Sequence, residues 1–253
     1  MMDFLTVIRS ITHPQRKSFR FEEGFWQASP PKFSFWYKTD QISVADFNEL
    51  GVTIEKLASD KTAAVISGSP TVTEKDVRRS RDYFEPFAHR WIMLDIDSVD
   101  DPKGRDAVAL TPVEIAESAV SYLPQEFKRA KCWYHLSSSM GIKPGIRVHL
   151  WYWLDRPVTD QEKKAWLSDC PVDKALFNAV QPHFTAAPEF TGGVDPYPDR
   201  FGLYEPFEAT DTVIVPVDLA ERTVVQDQNE PRRVCRRLID VSYAATGSVS
   251  RAA

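Results

Sequence analysis

An apolar run, Trp91-Ile92-Met93-Leu94, leads directly into Asp95-Ile96-Asp97. On an extended strand, side chains two residues apart share a face at about 6.6–6.8 Å. Asp95 and Asp97 therefore point one way and Leu94 and Ile96 the other. Two carboxylates on one rim repel unless a cation lies between them. Hard oxygen ligands at that spacing suit Mg²⁺ or Mn²⁺, which leave positions for water and substrate phosphates. Solvated acids capping a strand end are the other reading of an isolated Asp-x-Asp. The apolar strand feeding into the pair favours a site, because C-terminal strand ends are where α/β sites collect.

A second strand pattern, Arg147-Val148-His149-Leu150-Trp151, places Arg147, His149 and Trp151 on one face. The loop before it carries Ser137-Ser138-Ser139, Gly141, Lys143 and Gly145. Hydroxyls, backbone N–H groups and a cation together make an anion cradle, although serines are also ordinary turn residues. A third segment, Gly192-Gly193-Val194-Asp195-Pro196-Tyr197-Pro198-Asp199-Arg200, offers another carboxylate at Asp195 with the Arg200 cation near it. An Asx-type turn with two prolines fits that segment alone equally well.

The elements that must position these residues follow from periodicity and turn chemistry. Residues 1–40 read as short aromatic-rich strands broken by turns at His13-Pro14 and Ser29-Pro30-Pro31. Ser43 is placed to cap a helix over 44–50 that Gly51 ends. Residues 63–67 read as a buried strand and the charged stretch 72–83 as an exposed helix. Thr111-Pro112 opens a helix with apolar spacing through Leu123. Strands over 132–137 and 147–154 are separated by the loop 138–146, too short for a parallel crossover, so the pair is a hairpin. Helices over 160–167 and 173–180, a Gly192-Gly193 turn and a strand near 201–204 complete the expected domain, 1–222. From Thr223 the chain turns polar and basic, including Arg232-Arg233-Val234-Cys235-Arg236-Arg237, and 223–253 reads as a linker or tail.

In order, the chemistry-bearing groups are Asp-x-Asp, a strand histidine 52 residues later, and an apolar-Asp pair 46 residues beyond that. This arrangement resembles the archaeo-eukaryotic primase superfamily, which includes primase-polymerases of phages, plasmids and mobile elements. The matching residues are Met93-Leu94-Asp95-Ile96-Asp97, Arg147-Val148-His149 and Val194-Asp195, within roughly residues 60–207. Arg147 stands where that family usually has a small residue. The resemblance implies an α/β (α+β) fold in which an N-terminal α/β unit packs with an RRM-like, mostly antiparallel unit, the active site between them. It implies two-metal nucleotidyl transfer, with Asp95, Asp97 and Asp195 holding two Mg²⁺ or Mn²⁺ ions. His149, Arg147, Ser139 and Arg200 are then expected at the nucleotide's phosphates. The implied partners are a single-stranded DNA template, an NTP or dNTP, and a helicase or accessory domain after the tail.

Other functions use the same residues. Asp95-Ile96-Asp97-Ser98-Val99 also resembles the haloacid-dehalogenase phosphatase signature, with Asp95 as nucleophile, the 132–137 strand ending in Ser137, and Asp195 with Asp199 as later acids. That fold needs a parallel sheet and gives His149 no role. A non-catalytic replication initiator or DNA-binding module keeps the fold without the chemistry. A rolling-circle relaxase is excluded because His149-Leu150-Trp151 lacks its His-x-His pair.

Composition sets the remaining bounds. The 253 residues, 43% hydrophobic, suffice for a full core. A net charge of −5 excludes bulk polycationic binding of nucleic acid, so a DNA groove must be local. Arg78, Arg79, Arg81, Lys128, Arg129 and Lys131 are candidates for it, with Trp133, Trp151 and Trp153 able to stack on bases or, more simply, to fill the core. Cys132, Cys170 and Cys235 stand far apart, which fits a reduced cytoplasmic setting and no zinc knuckle. No signal peptide or membrane span is expected.

Overall fold

The computed structural model describes residues 2–223 except Pro30, Pro31, Phe33, Lys75 and Arg222. The expected tail over 223–253 therefore lies, Thr223 apart, outside the described residues. In chain order the strands and helices are β1 Asp3–Ser10, β2 Ser18–Glu22, β3 Phe25–Ala28, β4 Trp36–Val44, α1 Phe47–Ala58, β5 Ala63–Ile66, β6 Gly68–Pro70, β7 Asp76–Arg78 and β8 Phe84–Pro86. They continue with β9 His89–Val99, α2 Pro112–Val120, α3 Gln125–Lys128, β10 Cys132–Leu136, β11 Ile146–Val158, α4 Asp160–Trp166, β12 His183–Phe184, β13 Glu189–Thr191 and β14 Phe201–Tyr204.

Among the described residues, the strands form a five-stranded sheet, β12-β5-β1-β4-β7, and a four-stranded sheet, β14-β10-β11-β9. Every pairing within these two sheets is antiparallel. Two smaller sheets, β13-β2-β3 and β6-β8, complete an α+β architecture. The antiparallel order removes the parallel sheet that the dehalogenase-type phosphatase requires. The hairpin expected from the short loop is β10–β11, with His135 opposite His149.

The four-stranded sheet is covered on both faces, which is why β11 reads as a nearly unbroken apolar run instead of alternating. Ile92, Leu94, Ile96, Val148, Leu150 and Tyr152 pack on one face with Ile115, Ala116 and Ala119 of α2. Trp91, Met93, Trp151 and Trp153 pack on the other with Phe47, Leu50 and Ile54 of α1 and Leu5 and Val7 of β1. The helices begin where side-chain caps satisfy their free N–H groups. Thr111 with Glu114 opens α2, and Thr159 with Glu162 opens α4, each pair forming a reciprocal capping box.

Three local expectations are corrected. Helix α1 is capped by Asp46 in place of Ser43, its carboxylate accepting from the N–H groups of Asn48 and Glu49, both at 2.9 Å. It also runs through Gly51, where an added Cβ would lie 2.0 Å from Trp133 Cε2. That glycine serves close approach to an indole and does not end the helix. The expected helix over 72–83 is instead turn and strand. There β7 pairs with the edge of β4, setting Val77 opposite Tyr37, and an edge strand buries only one side chain here, so the segment is mostly polar. Over 173–180 only a short 3₁₀ turn, Lys174–Leu176, forms after Asp173 caps it.

Candidate functional site

The β9–β11 register places Asp95 opposite His149 and Asp97 opposite Arg147. The β10–β11 and β10–β14 registers add His135 and Phe201 to the same cross-strand row. The row therefore runs Phe201, His135, His149, Asp95 across four strands. Trp151, Met93, Trp153 and Trp91 occupy the same face one step further along and are buried beneath α1. The chemistry begins where that cover stops.

Asp95 is half-buried, and His149 Nε2 lies 3.6 Å from its Oδ1. Burial pushes the Asp95 carboxyl above its ordinary value, with the Asp97 and Asp173 carboxylates pushing the same way and His149 and Lys17 opposing. Asp173 was not among the expected site residues. Its backbone N–H donates to the Asp95 carbonyl at 2.9 Å, and Val172 bridges to Ile96, so this short segment closes the outer edge of β9. Val172-Asp173 is itself an apolar-Asp pair, which is the signal in the sequence that could have found it. Lys17, immediately before β2, brings an exposed cation of the N-terminal unit into the field of Asp95.

The arginines are engaged with the protein's own oxygens. Arg147 donates through Nη1 to Asp97 Oδ1, through Nη2 to Ser98 Oγ, and through Nε to the Pro144 carbonyl at 3.1 Å. Arg200 binds Asp195 through Nε at 2.8 Å and Nη2 at 2.5 Å. Its Nη1 also donates to the Ser137 carbonyl at 2.9 Å, and its guanidinium lies over the Phe190 ring, 5.3 Å from the centroid. Asp195 also accepts the Tyr197 N–H at 2.9 Å. The Asp195–Arg200 pair thus fastens the 195–200 segment to the 137–140 turn. Ser139 is buried, its hydroxyl 3.4 Å from that of Ser137, and its carbonyl takes the N–H groups of Ile142 and Lys143. The N–H groups of Met140, Ile142 and Lys143 are therefore spent within the turn, while the Lys143 side chain is exposed.

His135 is buried edge-on against His149, with ring centroids 5.7 Å apart. Burial first, then the nearby His149 and Arg200 charges, hold its pKa down to about 3. The Nδ1 atoms of both histidines are buried without a hydrogen-bond partner.

The basic residues expected to guide a template fall on two separate stretches, from the end of β7 onward and from the end of α3 onward. Arg78 stacks over the half-exposed Trp36 ring at 5.1 Å, and Arg79 donates to the Val180 carbonyl at 2.6 Å. Lys131 is tied to Glu205 and Asp211. Trp151 and Trp153 are core, and Trp133 is sandwiched between Phe47 and Phe201.

The carboxylate oxygens of Asp95, Asp97 and Asp173 are chemically suited to Mg²⁺ or Mn²⁺. Asp195 is held by Arg200, as Asp97 is held by Arg147. Among the described residues no three acid, histidine or cysteine side chains already converge as a ready-made metal cage.

No family model matches the chain. Over 203 residues, 74% of this chain, it is 29% identical to a protein of Escherichia phage T5 described as "Putative replication origin binding protein". That stretch is 21% of the phage protein, so the chain spans about a fifth of its relative's length. Among solved structures it is similar to the AEP domain of the cyanophage S-2L primase-polymerase, with a TM-score of 0.34 and 12% identity over 74% of this chain and 80% of that one. Both matches are phage proteins. The second likeness is too slight to bear on function. Among the described residues, no helix is long and apolar enough to cross a membrane.

Proposed function

We propose that this chain is a primase-polymerase-type nucleotidyltransferase of the archaeo-eukaryotic primase kind, acting on a single-stranded DNA template in phage or mobile-element replication. The observation that carries the reading is the cross-strand pairing of Asp95 with His149, beside Asp97 and Asp173, on the part of the sheet face that α1 leaves uncovered. The replication role named for the phage T5 relative supports it.

Asp95, crowded by two other carboxylates, is the group most in want of a cation, and Asp95, Asp97 and Asp173 are the residues that would hold one. Divalent ions bound there would lower the pKa of an attacking 3′-hydroxyl and neutralise the leaving pyrophosphate. His149 is held against Asp95 by the β9–β11 register and against His135 on its other side, so its ring has little freedom to turn. Asp195 and Arg200 keep the 137–140 turn in place instead of meeting substrate. Lys17 and Lys143, both exposed, are cations that could meet phosphates from the N-terminal unit and from the hairpin loop.

Incorporation of labelled nucleotides on single-stranded DNA with Mg²⁺ or Mn²⁺, with and without primer, tests this reading. Extended product that disappears in Asp95→Ala is expected. Absence of product from folded protein under both metals would overturn it. A second reading, a DNA-binding module without catalysis, is favoured by one feature: Asp97 and Asp195 each already carry an arginine partner. DNA retention with no incorporation in the same assay would support that module.

A further inference from the structure

We propose that Arg147 is a guanidinium latch on Asp97, holding that carboxylate in competition with a divalent cation and becoming available to phosphate only when it lets go. The inference rests on the metal-dependent reading above and deepens it.

Register alone sets Arg147 opposite Asp97. Each of its three side-chain nitrogens then donates at one strand end, to Asp97, Ser98 and the Pro144 carbonyl. Two backbone features make that grip possible. Ser98 adopts φ of +66° and Gly145 φ of +79°. The two face each other so closely that a Cβ on Gly145 would sit 3.1 Å from the Ser98 backbone. This kink turns the Ser98 hydroxyl toward the guanidinium.

The Arg147 side chain is 10% exposed, whereas that of Asp97 is 51% exposed. The arginine thus holds the carboxylate from its buried side and leaves the other side open to solvent. Among the described residues Asp95 has no arginine partner, and His149 lies 3.6 Å from it. The two acids of one Asp-x-Asp motif are therefore unequal: one is already neutralised by the protein, and the other is not. A cation that takes up both carboxylates shares Asp97 with Arg147, which holds Oδ1, and a guanidinium and a divalent ion on one carboxylate repel, so cation binding weakens the Arg147 contact. Once loosened, Arg147 presents a planar fork suited to phosphate oxygens. One side chain then couples cation binding to nucleotide binding, and such coupling is reciprocal.

The test titrates Mn²⁺ alone into the full chain and follows free Mn²⁺ by electron paramagnetic resonance. Arg147→Gln removes the charge and is expected to tighten Mn²⁺ binding about tenfold, the worth of one charge-assisted contact. Ser98→Gly removes a single acceptor at a φ that glycine adopts freely, and is expected to tighten it about threefold. Because Ser98→Gly leaves the ion pair in place, it gives a result even where Arg147→Gln does not fold. Equal or weaker Mn²⁺ binding in the variants than in the parent chain overturns the latch and leaves the metal reading standing. No Mn²⁺ bound by any of the three overturns the metal reading, and the latch with it.

Discussion

One face of the β9–β11 pair has two ends with opposite characters. Trp91, Met93, Trp151 and Trp153 lie under α1 at one end, while Asp95, Asp97, Arg147 and His149 stand on the same strands at the other. Strand periodicity is the same throughout, so it cannot be what separates them. The difference is cover: α1 and β1 reach the tryptophans and stop short of the acids. The comparison teaches that the acids are placed by a sheet whose rigidity is made elsewhere along the same strands. Chemistry and stability should therefore separate when each end is altered.

The largest expected effect is at the open end. Asp95→Asn should lower nucleotide incorporation by about a hundred- to a thousandfold, a loss comparable to removing one preorganised charge-stabilising group. Its melting temperature should hold or rise, because the substitution relieves repulsion from Asp97 and Asp173. A large fall in melting temperature would make Asp95 a structural acid and erase the contrast. At the covered end, Trp151→Ala should cost about 3–5 kcal/mol in denaturant unfolding.

The two later acids sharpen the comparison further. Asp173→Asn should reduce activity with little change in stability. Asp195→Asn should cost about 1.5–3 kcal/mol by releasing Arg200, with a smaller effect on activity. The reverse pattern in paired melting and incorporation assays would return the catalytic role to Asp195.

The smallest effect is a slope with pH. His135 and His183 are both held neutral by burial, with pKa values of about 3. An exposed histidine titrates near about 6.5. Between those values the unfolded chain binds protons that the folded chain refuses, so stability is full above about pH 6.5 and falls toward pH 3. Each histidine adds up to roughly 1.4 kcal/mol per pH unit. Denaturant midpoints measured across that window should fall less steeply for His135→Leu than for the parent chain.

Much of the open end was legible in the sequence, because its signals are local. The apolar strand, the alternation around His149 and the short hairpin loop each depend on a few adjacent residues. What was missed depends on distant partners. Asp173 joins Asp95 only because Val172 adds to the free edge of β9, an event between residues far apart in the chain. Gly51 looked like a helix stop because the indole that needs its missing side chain comes from Trp133. The stretch 72–83 looked helical because one buried valine on an edge strand leaves little periodicity to read. Arg147 was expected at phosphate, and nothing in its own segment announces that Asp97 would hold it.

The N-terminal unit takes two of its strands from late in the chain: β12 completes the five-stranded sheet beside β5, and β13 lies parallel to β2. During synthesis from the ribosome, those edges of β5 and β2 must therefore wait, unpaired, until the segment through Thr191 has emerged. Unpaired strand edges invite association with other chains. A fragment cut before His183, however neatly it divides the sequence, would release the first unit with both seams open.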